Sequence, residues 1–355
     1  MHTELGVPIT SAGLVQITMA GGAVISNFLA GKIIKQLDFV RTTIISATMA
    51  AAALIATSFS PNFIFLCVLA IPIGFGCGLL DATVNSYAAI HYKAKYMNWL
   101  HCCWGIGGMI GPIIISFSLL NWQSWHLGYR IAGIFQVIVV ILLFISYPRW
   151  EHSTSTADEG PKEQTNSSLG KLLSLPNAKM SLVAYLFLGC FGSLLGIWGS
   201  SYFVTVHNIS PETAAGWVSL YFFGLTLGRF LAGLVSARLG NQRLLRLSIS
   251  LIAIGLIIMM LPLPTIFVLF GYILTGLGFA PMFPCLLHEM PSRFGETYSH
   301  HMIGLHMSCG AIGMMLMPQL FGMLAEQTSY KLFPITVLIL LLLFAYLLKR
   351  SYQKA

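Results

Sequence analysis

A chain of 355 residues that is 56% hydrophobic and only 8% charged, with mean hydropathy +0.80, is not a soluble globular protein, since soluble domains carry about 25% charged residues. The net charge of +8 does not mark a nucleic-acid binder, because the bases are scattered and not gathered into a patch with interleaved aromatics. The apolar runs are long and unbroken, which excludes a large β-barrel built from alternating strands of about 10 residues. It leaves a polytopic helical protein whose partner is the lipid bilayer, each span needing about 20 mostly apolar residues.

In chain order the apolar helices fall at roughly 10–34, 41–59, 62–90, 97–120, 127–148, 178–205, 212–237, 244–262, 264–289, 299–324 and 331–348, about eleven spans. The breaks between them alternate in charge. Lys32, Lys35 and Arg41 flank the first, and Ser60-Pro61-Asn62 makes a second without a base. Lys93 and Lys95 mark the third, and the fourth carries only Arg130. The alternation continues to Lys349, Arg350 and Lys354 at the end. Of 19 bases, 16 fall on one side, Arg130 and Lys331 fall on the other, and Arg229 lies inside a helix. The positive-inside rule makes the rich side cytoplasmic, which puts the C-terminus inside and the N-terminus outside the cell membrane. MHTELGVPIT lacks the basic region of a cleavable signal peptide.

The third run carries Asp81, the one carboxylate deep inside an apolar segment, with Asn85 one helical turn on. An ionisable group there costs roughly 2.5–3.5 kcal/mol on insertion scales, so it faces a cavity or a partner. Low-dielectric surroundings favour a neutral carboxyl, which suits proton exchange. The alternative is a structural charge near the cytoplasmic end, paired with a base such as Lys93 or Arg229. His101 opens the next helix and His306 occupies a matching place later in the chain. Histidine suits proton exchange, and a satisfied structural role fits these two equally well. Residues 149–177, including EHSTSTADEGPKEQTNSS, are polar and without apolar period, and read as a flexible cytoplasmic linker. They separate an N-terminal helical half at 1–148 from a C-terminal half at 178–355.

Trp198, Ser201 and Tyr202 follow the linker. An aromatic face suits a sugar ring and a hydroxyl fixes orientation, although Trp and Tyr also favour membrane interfaces. Arg229 is suited to anchoring an anionic group, pairing with Asp81, or bracing the helix end. Glycines 105, 107, 108, 111, 310 and 313 suggest close helix crossings, and Pro281 and Pro284 suggest a bent helix. The seven cysteines all lie in apolar segments and none has a partner at metal-ligand spacing. No metal site, cofactor site, nucleotide-binding loop or hydrolase motif is expected.

The chain repeats itself. Phe28-Leu29-Ala30-Gly31 recurs as Phe230-Leu231-Ala232-Gly233, Arg41 matches Arg243, and Leu100-His101 recurs as Leu305-His306. Both copies have the same orientation, which describes a parallel repeat of two six-helix halves. The second half begins with a helix at 178–205 whose counterpart before Ser11 has only ten residues to occupy. The first half therefore reads as lacking its first helix, through a short gene model or a truncated gene.

These residues also match a known family. Gly224-Leu-Thr-Leu-Gly228-Arg229-Phe230, Asp81-Ala-Thr-Val-Asn85, Asn98-Trp99-Leu-His101 with Trp104-Gly105, and Gly276-Leu-Gly278-Phe-Ala280-Pro281 carry the match. The chain resembles the major facilitator superfamily, in particular its fucose-permease-like branch. The cytoplasmic signature of that superfamily is altered in both copies. Lys35 and Asp38 stand where an acid and a glycine are expected, and Ala237 takes the acidic place before Arg238, Gly240 and Arg243. The resemblance implies an all-α membrane protein of two six-helix bundles, with the helix of Asp81 lining a central cavity. It implies a secondary transporter for a small polar solute, a sugar first, driven by a proton gradient and working as a monomer. Candidate binding residues are Asp81, Asn85, His101, Trp198, Tyr202, Arg229 and His306. The alternatives are a multidrug-type efflux carrier and a non-transporting fragment or membrane scaffold.

Overall fold

The computed structural model describes residues 12–147 and 169–353, and every regular element among them is helical. They are α1 (Ala12–Leu37), α2 (Phe39–Thr57), α3 (Phe63–His91), α4 (Ala94–Trp122), α5 (Trp125–Ser146), α6 (Leu169–Ser174) and α7 (Ala178–His207). There follow α8 (Pro211–Leu239), α9 (Asn241–Met260), α10 (Thr265–Phe279), α11 (Met282–His288), α12 (Met290–Phe294), α13 (Glu296–Gln327) and α14 (Phe333–Ser351). Ten spans among the described residues are long and apolar enough to cross a membrane. With the 29-residue α4, about 43 Å long at 1.5 Å per residue, they cover every apolar run expected from the sequence. Helices are the natural outcome because a bilayer offers the backbone no water to hydrogen-bond. The surface agrees: α5 alone exposes Ile134, Phe135, Ile138, Ile141, Leu142 and Ile145, an apolar face that only lipid would tolerate.

The chain forms two compact units. Unit 1 comprises Met1–Tyr87, Gly107–Leu172 and Thr297–Ser308, and unit 2 comprises Ala88–Ile106, Leu173–Glu296 and Cys309–Ala355. In unit 1, α2 packs on α5 and α1 around Ala47, Ala51 and Val140. Helix α3 approaches α1 so closely that a side chain at Gly74 would strike the Met19 backbone, and one at Gly78 the Ala23 backbone. In unit 2, α10 lies against α9 and α8, while α7 packs on α14. The rings of Tyr221 and Tyr272 stack with centroids 5.0 Å apart, and the Tyr272 hydroxyl donates to the Leu195 carbonyl at 2.6 Å.

The repeat is written in the backbone as well as in the letters. Asp38, ahead of α2, has φ 67° and ψ 171°. Gly240, ahead of α9, has φ 72° and ψ 158°. Both occupy a region of backbone space that is essentially reserved for glycine.

Three expectations are modified. The anticipated bend at Pro281 and Pro284 is a break, with α10 ending at Phe279 and α11 starting at Met282. The linker expected over 149–177 falls mostly outside the described residues, and its end is not structureless, since α6 forms there and buries Leu172. Among the glycines expected at helix crossings, Gly105 meets Thr226 and Gly313 meets the Leu186 carbonyl. A Cβ added at Gly107, Gly108 or Gly111 would meet nothing within 4 Å, so these three face open space. Glycine spacing alone does not distinguish a crossing from an open face.

Candidate functional site

Asp81 and Asn85 stand one turn apart on α3, in unit 1. The Asn85 side-chain amide donates to Asp81 Oδ1 at 2.7 Å and to the Asp81 main-chain carbonyl at 2.9 Å. Asn85 is fully buried while Asp81 is exposed. The amide therefore holds one carboxylate oxygen of a residue that is itself exposed. The arrangement is a carboxyl in a fixed rotamer on an apolar helix, able to accept a hydroxyl from a polar solute or to exchange a proton. Cys77, one turn earlier, is also exposed.

His306 lies on α13 in the same unit, fully buried, with Nδ1 2.6 Å from the Met302 carbonyl. A carbonyl only accepts, so Nδ1 carries the proton and the ring is locked against its own helix.

Unit 2 contains the second polar grouping. Arg229 on α8 is 5% exposed, and its Nη1 donates to the main-chain carbonyl of His101 on α4 at 3.0 Å. Its guanidinium lies 5.1 Å from the centre of the Trp104 ring. A charge-assisted hydrogen bond and a cation–π contact together offset much of the cost of placing a guanidinium inside an apolar helix. The His101 ring sits edge-on to Phe283, centroids 5.7 Å apart. The structure thus joins Arg229 to His101 through the backbone carbonyl of α4. Trp104, 60% exposed, stands out in the sequence only as part of the Trp-Gly motif. Its contact with Arg229 spans two helices far apart in the chain, and no local pattern announces it.

Trp198 and Tyr202, both on α7, serve different neighbours. The Trp198 indole donates to the Pro318 carbonyl at 3.0 Å and packs on Phe321 of α13. The Tyr202 hydroxyl donates to the Met259 carbonyl at 2.9 Å and receives His207 Nε2 at 3.2 Å, and the residue is 3% exposed. Each ties α7 to a neighbouring helix by a polar tip on an aromatic body. Among the described residues no group of three or more His, Cys, Asp or Glu is placed to hold a metal ion.

The sequence profile of the Major Facilitator Superfamily matches residues 1–318 and again 207–354. The chain belongs to the major facilitator superfamily. It is 24% identical over 320 residues to the glucose/mannose transporter GlcP of Bacillus subtilis (strain 168), a match covering 86% of this chain and 78% of that protein. It is 23% identical over 376 residues to bypass of stop codon protein 6 of Saccharomyces cerevisiae, covering 95% of this chain and 74% of that one. Among solved structures, the transporter FucP in its outward conformation superimposes with a TM-score of 0.81 at 14% identity, covering 98% of this chain and 91% of FucP. The proton:xylose symporter XylE follows with a TM-score of 0.75 at 13% identity, covering 95% and 86%. At such identities the structural likeness speaks to fold, and this superfamily fold is the one expected from the sequence.

Proposed function

We propose that this superfamily member is a proton-coupled secondary transporter, not an enzyme, that moves a small sugar-like solute across the cell membrane by alternating access. The observation that carries the proposal is the Asp81–Asn85 pair. A carboxyl is held at 2.7 Å by a buried amide on a helix otherwise apolar enough to span a bilayer. Groups of this kind in membrane helices mark ion and substrate pathways. The sugar assignment rests on the similarity to the glucose/mannose transporter and on the fold shared with the fucose and xylose symporters. In this reading Asp81 takes and releases the coupled proton, Asn85 positions it, and no bound cofactor takes part. Arg229 with His101 braces α8 against α4. The protein works as a monomer with its base-rich side and C-terminus in the cytoplasm.

The test is uptake of radiolabelled glucose, fucose and xylose into proteoliposomes holding the purified chain under an imposed proton gradient. One charge moving through 100 mV is worth about 2.3 kcal/mol, which sustains roughly 50-fold accumulation. Asp81→Asn should abolish accumulation above equilibrium while solute exchange across the membrane survives. Undiminished uphill uptake by Asp81→Asn refutes the coupling role, and absence of any sugar transport by the wild type refutes the substrate class.

A further inference from the structure

Unit 2 contains a cavity of about 1180 Å³ at the meeting of the α3–α4 turn, the α8–α9 turn and the α11–α12 junction. Lys93, Arg238, Arg243 and Arg246 all line it, and all are exposed. None of these four side chains makes a hydrogen bond or ion pair with another described residue. Four cations thus share one concave surface, and none of them is paired with a carboxylate of the described residues.

The floor of the cavity is wired by neutral groups. His288 Nε2 lies 3.0 Å from the Tyr92 carbonyl, so the proton sits on Nε2. Nδ1 then accepts from the Asn241 side-chain amide at 3.1 Å. The same amide reaches the Cys285 carbonyl at 3.4 Å. Three chain segments are fastened beneath the bases, and none of the fasteners is an anion.

The carboxylate that lines the cavity, Glu289, is engaged elsewhere. It accepts the Tyr352 hydroxyl. Burial pushes its carboxyl above the usual carboxylate range, against the opposing pull of Tyr352 and Arg293. Arg293 in turn is anchored to Ser351, at 3.1 Å to the carbonyl and 2.9 Å to the hydroxyl. Ala237, immediately before Arg238, also lines the cavity and brings no charge. The first turn of α9 opens into the same space from Gly240 without a side-chain cap, leaving backbone amides that favour a bound anion.

We propose that this cavity is a binding site for a phosphate-bearing anion, held by Lys93, Arg238, Arg243 and Arg246 together with the first-turn amides of α9. Several arginine forks around one space match an oxyanion with three or more acceptor oxygens better than a single carboxylate. Two sources carry that chemistry, the headgroup of an anionic phospholipid and a soluble phosphate compound. The site is separate from Asp81 and stands whichever solute the protein carries.

The test measures thermal unfolding of the purified full-length chain in neutral detergent at constant ionic strength. One arm titrates inorganic pyrophosphate against chloride, and the other titrates phosphatidylglycerol against phosphatidylcholine. A ligand that binds the native state raises the apparent Tm and saturates. A response to phosphatidylglycerol alone identifies a lipid site, and a response to pyrophosphate identifies a site for soluble phosphates. In either case Arg243→Gln/Arg246→Gln should weaken the response at least tenfold. Ala237→Asp should do the same by supplying the counter-charge internally. It keeps every base and lies at an exposed position, so it decides the matter even where the double variant fails to fold. The proposal is overturned if neither probe exceeds its control, or if Ala237→Asp responds like the wild type.

Discussion

Replacing Asp38 by glycine should not destabilise the protein, although it removes both a helix cap and an ion pair. Asp38 Oδ1 accepts from the Arg41 amide at 2.9 Å, and Oδ2 lies 3.4 Å from Arg41 Nε. Exchanging an aspartate N-cap for glycine costs a few tenths of a kcal/mol. The ion pair, with side chains 64% and 34% exposed, is solvent-screened and contributes little. Added freedom of glycine in the unfolded chain costs about 0.7 kcal/mol more. The cap and the added freedom together cost roughly 1 kcal/mol, and for an ordinary cap they would be the whole effect. Against them stands the backbone at φ 67° and ψ 171°, which strains a side-chain-bearing residue by about 1–3 kcal/mol. The balance is close to zero or slightly favourable. Alanine keeps the strain and loses the cap, so Asp38→Ala should be clearly less stable than Asp38→Gly. The control is Gly240→Ala, at φ 72° with nothing within 4 Å of its Cβ position. There the whole cost, about 1–3 kcal/mol, is conformational. Thermal unfolding of the four purified proteins, followed by tryptophan fluorescence, gives the order. Backbone strain is refuted as the deciding factor if Asp38→Ala is as stable as Asp38→Gly, or if Gly240→Ala unfolds with the wild type.

Three further outcomes follow from the contacts described above. Gly189→Ala should destabilise by about 1–3 kcal/mol or more, since its Cβ would run into the Gly310 carbonyl. Gly196→Ala, whose nearest neighbour is Phe222 Cζ at 3.5 Å, should be neutral or mildly stabilising, and apparent Tm values for the pair check both. Tyr202→Phe should lower stability by about 1–2 kcal/mol through loss of a buried hydrogen bond and leave the KM of solute uptake unchanged; a raised KM at wild-type stability would assign Tyr202 to the substrate instead. Glu289 has a folded-state pKa raised above 4.5, chiefly by burial. It therefore favours the folded state below its unfolded pKa, and that contribution is lost as pH rises through the folded value. Glu289→Gln preserves an acceptor for Tyr352 and should remove this fall, which Tm measured between about pH 4 and 8 will show.

The spans were legible because a bilayer imposes one long-range rule, about 20 apolar residues per crossing, that needs no knowledge of neighbours. The Asp81–Asn85 contact was legible for a similar reason, since residues four apart on a helix share a face. The partners of Trp198 and Tyr202 were not. Sequence shows an aromatic body and a polar tip, which fit a sugar site and a membrane interface equally. Only the carbonyls of Pro318 and Met259, 120 and 57 residues away, show which neighbour each tip meets. Arg229 is ambiguous in the same way in sequence, and its contacts with the His101 carbonyl and the Trp104 face are equally long-range.

The bases raise the deepest question about how sequence and structure divide the work. The positive-inside rule would account for bases sharing one side of a membrane, and it would be satisfied by any scatter of lysines and arginines along the turns of that side. It does not account for four of them converging on one cavity. In the same unit Arg229 and Arg293 have their guanidinium groups hydrogen-bonded to carbonyls and stacked on aromatic rings. This chain therefore can satisfy a cation where the fold requires it. Lys93, Arg238, Arg243 and Arg246 make no hydrogen bond or ion pair with another described residue, and Ala237, which lines the same cavity, brings no carboxylate. Like charges gathered in one concavity repel each other and weaken the folded state. A bound anion removes that penalty, which is why Ala237→Asp, by building the anion into the chain, is the variant that separates a ligand site from an incidental crowd of bases.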